Sequence, residues 1–190
     1  MKITSGKYKY RNIEIPRGIR PTTEKVREAV FSMIMQWIPE AEVLDLFAGS
    51  GAMGLEALSR GAARCTFVEV SRQNQKVLSA NISNCGAGEE STLMCRDYAA
   101  ALSELAGKRE KPVFDIVIMD PPYENTDYYT DALLKLQDHG LVDERSVVVC
   151  EHLFDNKLSD TYGTLSKFKE KKYGTIGVDL FSVDNSGMFC

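Results

Sequence analysis

The chain has no apolar run of eighteen residues, so no segment reads as a membrane-spanning helix. Its start, MKITSGKYKYR, lacks the apolar middle of a secretory signal, and the expected compartment is the cytoplasm, with no membrane partner. CxxC spacing is missing: Cys65, Cys85, Cys95, Cys150 and Cys190 are odd in number and scattered, against both a disulfide framework and a zinc site. The two histidines, His139 and His152, have no carboxylate or cysteine at ligand spacing, so no metal is expected. Neither a Ser-His-Asp nor a Cys-His arrangement is supported, and there is no internal repeat or low-complexity linker. What is there is 190 residues, 44% hydrophobic and 26% charged, which reads as one soluble domain spanning 1–190, taken as a monomer, with the cysteines reduced and mostly buried.

From about residue 42 onward, strand and helix patterns alternate. VLDLFA is followed by the helical AMGLEALSRGA, TFVEV by SRQNQKVLSANISNCG, STLMCRD by YAAALSELAG, and VFDIVIMD by YYTDALLKLQDHG, before SVVVCEH. Gly61 and Gly86 stand where helices stop. Such alternation predicts a Rossmann-like, doubly wound α/β fold whose mostly parallel, seven-stranded sheet carries helices on both faces. LSKFKEKKYG and TIGVDLFSV have no helix between them and read as an antiparallel hairpin at one edge.

Ahead of the first core strand, RPTTEKVREAVFSMIMQWI places Val26, Ala29, Val30, Met33, Ile34 and Trp37 on one helical face and Glu24, Lys25, Arg27, Glu28 and Gln36 on the other. Thr22 or Thr23 is the expected N-cap. Packing does not account for the polar cluster Arg20, Thr22, Thr23 and Arg27 at this helix start, which could face a ligand. Residues 1–20 form a basic extension read as a β-hairpin, with residues 21–190 as the core and its leading helix. In that extension Lys2, Lys7, Lys9, Arg11, Arg17 and Arg20 oppose only Glu14, and Tyr8 and Tyr10 are interleaved among them, although the whole chain carries a net charge of −4. Basic and aromatic side chains together suit phosphates and unstacked bases; lysines that guard an exposed sheet edge give the same pattern.

DLFAGSGAMG, residues 45–54, sets Gly49, Gly51 and Gly54 as G-x-G-x-x-G directly after a strand and at the opening of a helix. Glu69 ends the next strand, placed to accept hydrogen bonds from ribose hydroxyls. Together they point to an adenosine-type ligand. Asp45 suits a cationic aminoacyl end and would repel a pyrophosphate. Asp97 either receives an adenine amino group or caps the helix that follows.

DIVIMDPPY then ends the fourth strand on Asp120, Pro121, Pro122 and Tyr123. Consecutive prolines stiffen the turn and hold Asp120 extended. Asp120 and the Pro121 carbonyl can both accept from one exocyclic amine, with the ring of Tyr123 as a stacking face.

DLFAGSGAMGLEALSRGA, FVEV, DIVIMDPPY and RPTTEKVREAVF together resemble the RsmD-like methyltransferases, which use S-adenosylmethionine to modify the 2-amino group of a guanine in bacterial 16S ribosomal RNA. The resemblance runs from SGKYKYRNIEIP to KKYGTIGVDLF. It implies a cofactor site of Asp45, Phe47, Ala48, Gly49, Ser50, Gly51, Glu69, Asp97, Tyr98 and Asp120, an amine site of Asp120 to Tyr123, and RNA contacts at Lys7, Lys9, Arg11, Arg20, Thr23 and Arg27. The implied partner is 16S ribosomal RNA or a small-subunit assembly intermediate. DPPY is shared with adenine amino-methyltransferases of DNA and RNA, so that substrate is the alternative. A non-catalytic module that binds S-adenosylmethionine or a nucleotide is the third reading, and an intact DPPY weighs against it.

Overall fold

The computed structural model describes residues 1–18, 22–122 and 127–183. Eight strands, β1 (Glu42–Asp45), β2 (Arg64–Val68), β3 (Ser91–Met94), β4 (Ile116–Met119), β5 (Val147–Leu153), β6 (Thr161–Tyr162), β7 (Leu165–Tyr173) and β8 (Ile176–Val183), form one sheet in the order β3-β2-β1-β4-β5-β8-β7-β6. The helices are α1 (Glu24–Met33), α2 (Ala52–Ser59), α3 (Arg72–Cys85), α4 (Tyr98–Ala106) and α5 (Asp127–Asp138). β1 to β5 are parallel, β8 runs antiparallel beside β5, and β7 runs antiparallel beside β8. The alternation therefore produced the doubly wound sheet it predicts. β6 brings the strands to eight; with two residues it is too short to carry a periodic signal.

Side-chain alternation divides the core. Val43, Ile116, Ile118, Val147, Val149, Val178 and Leu180 face α1, α2 and α3, while Leu44, Val117, Met119, Val148, Cys150 and Phe181 face α4 and α5. Both faces of the central strands are covered, which is why they read as continuous apolar runs. Thr23 caps α1 as expected, accepting the Val26 amide, and Gly86 adopts a φ of 74° at the end of α3; Ser71, read as part of the helix, is instead its N-cap and accepts the Asn74 amide.

Two expectations change. The leading helix stops at Met33, and residues 35–37 turn more tightly. The N-terminal hairpin reduces to one antiparallel bridge, Lys2 with Asn12, and its tip docks on the end of α2, where the Lys7 amide donates to the Ser59 carbonyl at 2.8 Å. Arg27 is the anchor of this packing. Assigned by helical spacing to the polar face, it is wholly buried, its Nε 3.2 Å from Oε2 of the equally buried Glu56 on α2. Glu56 also accepts from the Thr4 amide and from Arg60 Nε at 2.8 Å, so the acid joins the N-terminus, α1 and α2.

Candidate functional site

Chain order reverses between β1 and β4, which are neighbours although β2 and β3 intervene in sequence. Open α/β sheets bind ligands at the carboxyl ends of strands at such a point. The glycine loop after β1 leads into α2 there. Gly49 and Gly51 have φ of 54° and 77°, left-handed values that a Cβ disfavours. Gly54 has another reason: a Cβ would lie 2.3 Å from the Phe67 ring and 2.6 Å from Cys65 Sγ, so its absence lets α2 press on β2.

These elements line a cavity of about 620 Å³, with Asp45, Phe47, Ala48, Gly49, Ser50, Glu69, Asp97, Tyr98, Asp120, Pro121 and Pro122 all in its wall. Gly51 lies one residue beyond, as the N-cap of α2. Asp45 accepts the Gly54 amide at 3.0 Å, and burial, with the Glu69 charge adding to it, pushes its carboxyl up to about 7. Glu69 is held by two amides, Gly49 at 2.8 Å and Ser71 at 2.7 Å, so its oxygens are fixed at the lip of the loop. Asp97 does cap α4, its Oδ1 receiving the Ala100 amide at 3.0 Å, and also lines the cavity; a carboxylate has about four acceptor positions, so the cap does not exhaust it.

An aromatic group closes one side. Phe47, Tyr98 and Tyr128 have ring centroids 5.1 to 6.0 Å apart, with Phe47 and Tyr128 within 8° of parallel. Tyr98 is steadied by its hydroxyl, which donates to Asp131 Oδ2 at 2.7 Å. Tyr128 went unread in the sequence, as did Val70, whose side chain is 65% exposed at the same cavity. Tyr128 belongs to a stretch read only as helix, and nothing local reports that Phe47 lies against it.

Asp120 lines the same cavity. Thr22 Oγ1 lies 3.5 Å from Asp120 Oδ2 and donates to Glu151 Oε2 at 2.9 Å. Burial, then the charges of Glu151 and Asp45, raise the Asp120 carboxyl well above the usual carboxylate range, and Thr22 opposes the rise. Glu151 was also unread, though a signal existed: it follows the apolar run VVVC, and it lies just past the last parallel pair of β5, Cys150 with Met119, as Asp120 lies just past Met119. Tyr123 and Arg20 lie outside the described residues.

The basic residues are not brought together. Lys7 pairs with Glu90 at 2.5 Å and Arg11 donates to the Asn84 carbonyl at 3.3 Å, where α3 ends and β3 begins, the end of the sheet away from Asp120. Lys9 lies over the Tyr10 ring. Thr23 caps α1 and remains exposed. Arg27 is corrected: a fully buried guanidinium tied to Glu56 has no face left for a phosphate. Among the described residues, no group of three or more His, Cys, Asp or Glu is disposed to hold a metal, and no helix is long and apolar enough to cross a membrane.

Comparison with known proteins agrees with this geometry. The profile described as "Conserved hypothetical protein 95" matches residues 1–182. The "Ribosomal RNA small subunit methyltransferase D" of Escherichia coli strain K12 is 32% identical over 98% of the chain and 92% of its own length. Its Haemophilus influenzae namesake is 29% identical over 95% and 93%. Among solved structures, the YhhF protein of E. coli superposes with a TM-score of 0.83 at 32% identity, covering 97% of this chain and 98% of its own. A hypothetical protein of Thermus thermophilus superposes at 0.79 and 27%, covering 95% and 98%. Matched almost end to end in sequence and in backbone, this chain belongs to the Conserved hypothetical protein 95 family, the RsmD family of methyltransferases.

Proposed function

We propose that the chain is an S-adenosylmethionine-dependent methyltransferase acting on the exocyclic 2-amino group of a guanine in 16S ribosomal RNA. Its substrate is the RNA itself or a small-subunit assembly intermediate, and the chain works in the cytoplasm as one monomeric catalytic domain. The observation that carries the reading is a single cavity at the β1/β4 switch point, walled at once by the glycine loop, Asp45, Glu69 and the Asp120–Pro122 corner. The cofactor fits the donor set. Among the described residues, four carboxylates, Asp45, Glu69, Asp97 and Asp120, face the cavity against one basic residue, Arg96, a balance that favours a ligand bearing cationic ammonium and sulfonium groups and repels a pyrophosphate. Asp45 would hold the ammonium end, Glu69 the ribose hydroxyls, and Asp97 the adenine amino group, with Val70, Phe47 and Tyr98 supplying apolar surface. The cofactor, when bound, supplies an electrophilic methyl group on sulfur.

The protein's task is then to present an amine. A guanine 2-amino nitrogen is a poor nucleophile because its lone pair is conjugated with the ring. Asp120 and the Pro121 carbonyl, accepting from its two hydrogens, favour the pyramidal form that can attack. The stiff Pro-Pro turn holds both acceptors in one geometry, and positioning of this kind supplies about 7 to 11 kcal/mol in well-oriented intramolecular reactions. As the nitrogen gains a carbon it must shed one proton. Asp120, made more basic by burial and by Glu151, is the acceptor.

The test is to incubate the protein with methyl-labelled S-adenosylmethionine and, separately, small subunits, naked 16S RNA and duplex DNA, then to digest and identify the labelled nucleoside. 2-Methylguanosine is expected from the ribosomal substrates, and label in 6-methyladenine would overturn the guanine reading. Asp120→Ala should keep cofactor affinity near wild type while turnover falls at least about a hundredfold. Equal loss of both would make Asp120 structural.

A further inference from the structure

We infer that the groove between the end of α1 and strand β7 is a docking platform for an unpaired stretch of the RNA substrate, with Phe168 and Trp37 stacking on bases and Lys169 and Lys171 holding phosphates. The inference rests on the RNA reading of the active site. β7 carries a bulge between Lys167 and Lys169, where Phe168 is the extra residue. Its ring sits beside Trp37 with centroids 6.2 Å apart and remains 48% exposed. Met35, 69% exposed, and Met33 complete an open groove of about 470 Å³ that Lys169 also lines.

The lysines separate into two groups. Lys167 is spent internally, its Nζ 3.0 Å from the buried Asp179. Lys169 and Lys171 take part in no ion pair among the described residues, and their partners across the strand pair, Leu180 and Val178, belong to the α1 side of the sheet, the side of the groove. Edge lysines alone could serve only to block sheet-to-sheet aggregation. That role would not leave an aromatic ring and a methionine bare beside them. Free cations next to exposed aromatics match a polyanion whose bases can stack.

Register places Lys171 level with Asp120, while Phe168 and Lys169 lie about two residues lower on the sheet, since Lys169 pairs with Leu180, Leu180 with Val149 and Val149 with Ile118. Met119 pairs with Cys150, so Asp120 is level with Glu151; Glu151 pairs with Val178, and Val178 with Lys171. Lys171 thus stands three strand spacings from Asp120, roughly 14 Å along the sheet. Lys7 and Arg11, by contrast, are engaged at the sheet's other end.

The experiment measures binding of a 16S RNA transcript by fluorescence anisotropy across salt concentrations, with Phe168→Ala and the double variant Lys169→Ala/Lys171→Ala. Phe168→Ala should weaken binding roughly 5- to 150-fold, the range for loss of one base stack. The lysine variant should flatten the dependence of log affinity on log salt by about 1.4. Thermal stability, S-adenosylmethionine affinity and the single-turnover rate at saturating RNA should stay at wild type. Wild-type RNA affinity and salt slope in both variants would overturn the platform. So would a Phe168-dependent dimer seen in sedimentation with RNA affinity unmoved, or a defect confined to assembled subunits, which would assign the groove to a protein partner. Binding that needs Phe168 and both lysines, without methylation of any nucleoside, would instead overturn the active-site reading and leave the platform standing.

Discussion

Asp45→Asn should make the ligand-free protein more stable while crippling it as a binder. Burial lifts the Asp45 carboxyl to about 7 from the 3.8 of an exposed aspartate, so the fold resists the charged form. Below about pH 4 both folded and unfolded chains hold this proton and the position contributes nothing. As pH rises from 4 to 7 the unfolded chain releases the proton while the folded chain keeps it, and stability falls by about 1.4 kcal/mol per pH unit. Above pH 7 the deficit is constant at about 4 kcal/mol. Asparagine keeps an acceptor for the Gly54 amide, which Asp45 now binds at 3.0 Å, and carries no charge. Urea unfolding should therefore find the variant more stable than wild type by about 1.5 kcal/mol at pH 5 and about 4 kcal/mol at pH 8, with the denaturant slope unchanged. S-adenosylmethionine should bind the variant roughly 10- to 150-fold more weakly, the loss expected for a charged hydrogen bond of about 1.5 to 3 kcal/mol. A stability difference that does not vary with pH, or a variant less stable at pH 8, would refute the placement of a strained, ligand-awaiting carboxylate.

Glu56→Ala should lower stability by about 3 to 5 kcal/mol, because Arg27 would be left buried without its partner, and Tm should fall by roughly 6 to 20 °C. Arg27→Met/Glu56→Leu should recover much of that loss, and a Glu56→Ala melt within a degree of wild type would show that the pair is not holding α1 to α2. Gly54→Ala must push a methyl into Phe67 and Cys65, so chemical denaturation should show a loss of about 1 to 3 kcal/mol; no loss would mean that α2 can shift freely. Thr22→Val removes a hydroxyl whose hydrogen bond lowers the Asp120 carboxyl, so Asp120 should ionise at higher pH and the acid limb of the single-turnover rate should move upward. An unmoved limb would separate Thr22 from the reacting group.

Much of this protein was legible before any coordinates. The glycine spacing at 49, 51 and 54, the cap at Thr23, the stop at Gly86 and the apolar run of each central strand are conditions on backbone angles or on a few neighbouring side chains. Asp45, Glu69 and Asp120 were readable for a related reason: each ends a parallel strand, and parallel strands in such a sheet deliver their ends to one side. Glu151 lies just past the parallel-paired part of β5, yet its meaning depends on the hydroxyl of Thr22, 129 residues earlier in the chain.

Arg27 shows the limit most plainly. Helical spacing assigns a charged residue to solvent, since an unpaired buried cation is costly, and no signal within α1 reveals that α2 will bring Glu56 to meet it. The same holds for Phe168 against Trp37, and for Tyr128 against Phe47. The sequence by itself determined the elements, the ligand end of the sheet and the chemistry carried to it. Tertiary structure alone decided which charges are buried, which aromatics meet and which lysines stay free, because those outcomes depend on strand order and register between segments that share no local signal.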